Sequence, residues 1–275
     1  MFKDITLGQY YQADSIIHRL DPRVKVTGTL IYMLSLFIFN NIYCYIAAFI
    51  FLVAVIIMTK VPIGFMLKGM KGIFLLMMIT VICNLFFTPG ETIFKLWIIE
   101  ITKEGIKSAI YMLIRLVLLI VSASILTLTT TPNELTDGLE RMFRPLKVFK
   151  VPVHEVAMMM SIALRFIPIL MEETDKIMKA QTARGARFDS GNIIERVKSL
   201  VPLLVPLFVS AFRRASDLAL AMEARCYHGG DGRTKMKPLK YKGRDVFAFI
   251  ILIIYAGIIA ALGIMFLGGK FAALF

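Results

Sequence analysis

Between residues 42 and 58 the chain carries no charged side chain, and similarly apolar runs fill residues 24–39, 72–87, 106–129 and 246–267. Runs of this length suit a bilayer, whose hydrocarbon core needs about 20 apolar helical residues. No water reaches the backbone there, so each N–H and C=O must be paired within its own segment, which makes the runs helices. The composition agrees. The chain is 58% hydrophobic, whereas soluble domains sit near 45–50%. The expected fold class is an all-α integral membrane protein of about five transmembrane helices, four plus one, with a block of helices between the fourth and fifth spans.

The net charge is +13 over 275 residues, and its placement sets the topology. Lys3, Arg19 and Arg23 precede the first span and Lys25 lies at its start, Lys60, Lys68 and Lys71 follow the second, and most of the remaining Lys and Arg follow Thr130. The turn at Asn40-Asn41 carries no charge. The loop after Thr88 is balanced and holds Glu91, Lys95, Glu100, Lys103, Glu104 and the interfacial Trp97. Basic loops stay on the cytoplasmic side. The chain is therefore expected to be a multi-pass protein of the cell membrane, with a cytoplasmic N-terminus and a C-terminus outside. Because the cations flank apolar spans, lipid is the expected partner and nucleic acid is not. Residues 1–20 lack an apolar run, so no cleavable signal peptide is expected. Cys44, Cys83 and Cys226 are scattered and odd in number, which argues against a disulfide framework or a zinc site.

Three regions follow: a four-span part over 1–130, a cytoplasmic domain over 131–243 and a last span over 244–275. Asp21 and Pro22 suit the N-cap and first position of the first helix. Residues 60–71 read as a basic loop, and Thr88-Pro89-Gly90 breaks the third span. The fourth holds Arg115, an intramembrane cation with no intramembrane acid beside it. Thr131, Pro132 and Glu134 form a capping box that opens a short helix to about Phe143. A long helix is expected from 153 to 184 with an apolar stripe and a kink at Pro168. Gly185 is its stop. Another runs from 193 to about 227 and includes Pro202 and Pro206. Its apolar stretch at 201–212 is too short to cross a membrane between Lys198 and Arg213, so it is expected to lie at the interface or against protein.

No phosphate-binding loop, dinucleotide fingerprint, nucleophile elbow or metal-ligand spacing occurs, and His18, His154 and His228 lie in separate segments. The chain is not expected to be an enzyme or to bind a cofactor itself. Its most specific feature is a pair of matching ends. One long helix closes Ala180-Gln181-Thr182-Ala183-Arg184-Gly185 and the other Ala221-Met222-Glu223-Ala224-Arg225-Cys226. An arginine there can simply cap the last carbonyls. It can also project a five-donor fork into a partner's groove, with small neighbours letting another backbone approach. The matched pair favours the second reading.

With these residues in place the chain resembles the energy-coupling factor (ECF) transmembrane T component, the EcfT/CbiQ-like family. The resemblance covers the His18-Arg19-Leu20-Asp21-Pro22-Arg23 elbow, the four spans, the long helices and the last span. Ala183-Arg184-Gly185 matches the family's Ala-Arg-Gly motif outright, whereas Ala224-Arg225-Cys226 has Cys in place of Gly. The resemblance implies a non-enzymatic scaffold of an ABC-type vitamin or micronutrient uptake transporter. It implies that these six residues bind two ABC-type ATPase subunits, of EcfA and EcfA-prime type, which carry the ATP and Mg. It also implies a membrane-embedded S component held on the coupling helices, with contacts expected at Met158, Met159, Met160, Leu164, Pro206 and Phe208. The alternative is a self-contained secondary transporter, which usually shows repeated membrane halves that are not visible here.

Overall fold

Asp21 opens the first helix as its residue type dictates. Its Oδ1 accepts the Arg23 backbone N–H at 2.9 Å, and its carbonyl accepts the Val24 N–H at 3.0 Å. Helix α1 (Pro22–Ile38) then runs to the first turn, followed by α2 (Ile42–Thr59). The computed structural model describes residues 10–38, 41–96, 99–186, 188, 193–229 and 238–272. The expectations placed on Lys3, Asn40 and Trp97 lie outside them, and the same holds for the side chains of Lys68, Lys71, Lys95 and Glu100.

Helices α3 (Ile63–Lys71) and α4 (Phe74–Phe87) come next, then strands β1 (Thr92–Leu96) and β2 (Ile99–Thr102). Helix α5 (Lys103–Thr129) is N-capped by Thr102, whose Oγ1 accepts the Gly105 N–H at 3.0 Å. Helix α6 (Pro132–Phe143) has the expected capping box, with Thr131 and Glu134 each bonding the other's backbone N–H at 3.3 Å. A 3₁₀ turn (Arg144–Phe149) leads to α7 (Val153–Ala183), α8 (Ile193–Glu223) and α9 (Gly243–Ala272).

Two stretches differ from the sequence reading. Residues 60–71 are largely helix rather than loop, because Val61 and Met66 find places in the core at 5% and 1% exposure. The loop after Thr88 carries an antiparallel hairpin that pairs Thr92 with Thr102 and Leu96 with Ile99. Its Thr and Ile residues suit extended backbone, and the fold class remains all-α.

The described residues fall into two compact units, 10–138 with 239–272, and 139–229 with 238. In the first, α5 packs against α1, α2, α3 and α4, while α9 packs on α1 and α2. The core gathers Tyr32, Leu36, Tyr45, Ala48, Leu52, Leu118, Ile125, Leu128, Tyr255 and Ile259. Tyr32, Phe51 and Tyr255 stack, with the Phe51 and Tyr255 rings 4.3 Å apart. Arg115 donates from Nε to the Tyr45 hydroxyl at 2.9 Å, and its guanidinium lies 5.6 Å from the centre of the Phe37 ring. An aromatic setting of this kind stabilises a cation held off from water.

A polar knot ties the starts of α1 and α9 to the end of α5. Lys25 is buried and donates to the carbonyls of His18 at 3.0 Å and Thr129 at 2.8 Å. The buried Asp245 carboxylate accepts the backbone N–H of Asp21 at 2.9 Å and of Lys242 at 2.7 Å. Burial alone would raise the Asp21 carboxyl, but the bonds from the Arg23 side chain and backbone outweigh it and hold it below the usual 3.8.

Helices α2, α5, α7 and α9 are each long and apolar enough to cross a membrane. Only 6% of the apolar window of α7 is buried, against 22–28% for the other three. The second unit therefore presents a largely uncovered apolar surface.

Candidate partner interface

The second unit is built on α7 and α8, which pack on each other. Both helices contain proline, Pro168 in α7 and Pro202 with Pro206 in α8. Each proline removes one helical N–H, yet the helices run unbroken for 31 residues apiece. Arg214 of α8 donates from Nη2 to Glu173 Oε2 of α7 at 3.1 Å. His154 at the start of α7 bonds through Nδ1 to Glu140 Oε1 at 3.0 Å.

The two helix ends have the same backbone. At the end of α7 the Gly185 N–H donates to the Thr182 carbonyl at 2.9 Å and the Ala186 N–H to the Gln181 carbonyl at 3.0 Å. At the end of α8 the Cys226 N–H donates to Glu223 at 2.8 Å and the Tyr227 N–H to Met222 at 3.1 Å. Each is a Schellman closure, with Arg184 or Arg225 at the C-cap and Gly185 or Cys226 in the left-handed position beyond it. The φ values there are 90° and 54°.

This closure bears on what the arginines are for. Main-chain N–H groups already pair the Gln181, Thr182, Met222 and Glu223 carbonyls, so the two closures form without either guanidinium. Among the described residues neither side chain forms an ion pair. Ala183, Arg184, Gly185, Ala224, Arg225 and Cys226 are all exposed. A Cβ built on Gly185 would meet no atom within 4 Å, so another backbone has room to approach. The Glu173–Arg214 pair adds a further regularity. Glu173 precedes Arg184 by eleven residues and Arg214 precedes Arg225 by eleven, so the helices are joined at points equidistant from their arginines.

The residues expected to hold a membrane partner are distributed over both helices. Met159 and Met160 are exposed on α7, while Met158 and Leu164 are half-buried. On α8 Phe208 is 65% exposed and packs its ring 4.6 Å from that of Phe212, and Pro206 is half-buried. Val201, Leu204, Val205, Val209 and Phe212 extend the same uncovered surface. Sequence reasoning named Phe208 and Pro206 as contacts and placed the whole apolar stretch 201–212, which holds these neighbours, at the interface or against protein. It missed the Glu173–Arg214 pair, although the 41-residue offset between those two is the offset between the two arginines.

Comparison with known proteins decides the family. The family model described as "Cobalt transport protein", CbiQ, matches residues 13–236. The chain belongs to the CbiQ family. Its relatives in that family include the energy-coupling factor transporter transmembrane protein EcfT of Clostridium kluyveri, 54% identical over 92% of this chain and 95% of the relative. The EcfT of Ruminiclostridium cellulolyticum is 51% identical over 93% and 96%. That of Bacillus subtilis is 47% identical over 94% and 98%. These relatives are each named as the transmembrane protein of an energy-coupling factor transporter.

The closure makes two substitutions instructive. A non-glycine residue at φ 54° gives up about 1 kcal/mol to its own Cβ. Cys226→Gly is expected to firm the end of α8, slowing hydrogen exchange at positions 226 and 227 by up to about fivefold. Gly185→Ala, at φ 90°, is expected to speed exchange at 185 and 186 by a similar factor. Equal exchange in parent and variants would show that the left-handed position is not what limits these ends.

Proposed function

We propose that this chain is the coupling scaffold of an ABC-type ECF uptake transporter for a vitamin or other micronutrient. Arg184 and Arg225 each engage the groove of one cytoplasmic ATPase subunit, which carries the ATP and Mg. The uncovered apolar surface of α7 and α8, with Met158, Met159, Met160, Leu164, Pro206 and Phe208, holds the membrane-embedded S component. Closure of the ATPase pair moves the two helix ends, and that motion reorients the S component to release substrate inside. This chain does no chemistry of its own.

The observation that carries this reading is the duplicated Schellman closure with an exposed C-cap arginine at each end that, among the described residues, forms no ion pair. The names of the relatives support the transporter assignment. The orientation rests on charge. Lys25, Lys60 and the cations of the second unit come to one side when α1, α2, α4, α5 and α9 cross and α7 does not. Glu172, Glu173, Asp175, Lys176 and Lys179 in the second half of α7 fit a helix at the cytoplasmic surface. The N-terminus is then cytoplasmic and the C-terminus outside.

The test is what accompanies the chain out of the membrane and what it can do alone. Purified in mild detergent, it is expected to carry two ATPase subunits and a small membrane protein. Reconstituted by itself, it is expected to move no substrate. Substrate uptake by the chain alone in vesicles would overturn the scaffold reading.

A further inference from the structure

A cavity of about 680 Å³ lies in the membrane unit between α1, α2, α5 and α9. That is within the range of about 300–1,000 Å³ typical of ligand sites. Its floor is made by Tyr32, Leu52, Ile125 and Leu252, all buried. Its open edge is made by Ile16, Met58, Phe247 and Ile251, which are 37–64% exposed. An apolar edge on a membrane-spanning bundle faces hydrocarbon, so whatever enters comes from the bilayer.

The walls offer nothing to a polar ligand. Each hydroxyl on them is turned back onto a helix carbonyl: Thr29 onto Lys25 at 2.9 Å, Ser122 onto Leu119 at 2.8 Å and Thr129 onto Ile125 at 2.8 Å. Tyr32 donates to the Ala48 carbonyl at 3.2 Å. Lys25 is committed to two carbonyls. Arg244, at the end where α1 and α9 begin, is the exception. It lines the cavity, is exposed, and among the described residues has no ion-pair partner. From Arg244 to Leu252 the cavity follows α9 for about 12 Å at the helical rise. The site is thus a dry slot into mid-membrane with one unspent cation at its surface end.

We propose that this slot binds one acyl chain of an anionic phospholipid from the leaflet in which α1 and α9 begin, with the lipid phosphate on Arg244. The chain fills an apolar volume whose hydroxyls are all bonded to backbone carbonyls, and the phosphate meets a guanidinium suited to it in geometry and charge. The assignment stands independently of the partner interface, because all of its residues belong to the membrane unit.

The test uses the full-length protein in vesicles of equimolar phosphatidylglycerol and phosphatidylcholine. Phosphatidylglycerol with a photoreactive group in its acyl chain is expected to label Phe51, Ile251 and Leu252 in the unaltered protein. Labelling confined to outward residues such as Leu34 and Ile254 would overturn the proposal without requiring any variant. Retention of phosphatidylglycerol over phosphatidylcholine after detergent extraction is expected to be about fivefold, the effect of one basic residue at a membrane surface. Arg244→Gln is expected to abolish that preference, and Ala248→Phe, which fills the slot, to abolish the cavity labelling. An unchanged preference in Arg244→Gln would overturn the proposal equally.

Discussion

Replacing Arg184 and Arg225 together by Glu is expected to strip the ATPase subunits from the complex while the chain stays in the membrane. Breaking one partner of a buried, hydrogen-bonded charge pair costs about 2–5 kcal/mol, which is roughly 30-fold to 4,000-fold in affinity. Reversal adds repulsion, and two grips lost together remove the advantage of holding both subunits at once. Each single reversal is expected to leave the chain bound to one subunit and unable to support uptake. Lys176→Glu, at an exposed cation about two turns before Arg184 on the same helix, is expected to leave the complex intact. Subunit co-purification and uptake in vesicles measure these effects. An intact complex with unimpaired uptake in the double variant would remove both arginines from the proposed role.

Asp245→Ala is expected to be the most damaging single change to the stability of the membrane unit. It leaves the buried N–H of Asp21 without an acceptor, at about 1–3 kcal/mol, and the partly buried N–H of Lys242 at less. The summed loss of about 2–4 kcal/mol allows for partial relaxation. Asp245→Asn keeps one carbonyl oxygen and is expected to lose about half as much. Asp217→Ala, at an exposed acid on α8, serves as the comparison and is expected to fall within about 0.5 kcal/mol of the parent. The thermal midpoint for loss of monodisperse protein in detergent reads the difference. Equal midpoints for Asp245→Ala and Asp217→Ala would show that the knot does not hold the bundle together.

The apolar runs announced their helices because a bilayer leaves the backbone no other choice, and the caps at Asp21, Thr131 and Gly185 are local chemistry that short sequence windows contain. Hence α1, α2, α5 and α9 appear close to where they were expected, and α6 ends at Phe143 as read. The helix α3 was hidden because its Lys68 and Lys71 look like a solvated loop, while Val61 and Met66 reveal themselves only once a core exists to receive them. The hairpin between α4 and α5 was hidden for a related reason, since two short strands among mixed charges carry no long periodic signal. At the interface, sequence supplied the two arginines but not the evidence that they are free of capping duty. That evidence is a set of main-chain hydrogen bonds, which no side-chain pattern records. The Lys25 and Asp245 contacts were illegible because they join residues 104 and 224 positions away in the chain.

The link between Glu173 and Arg214 gives α7 and α8 the geometry of a pair of shears with equal handles. Each handle, from the link to its arginine, is about 16 Å long at 1.5 Å per residue. A rotation of about 10° by each helix about the link would swing each tip by about 3 Å, the same distance on both sides. A single chain with no symmetry of its own would then deliver equal strokes to two ATPase subunits, whether or not those subunits are identical.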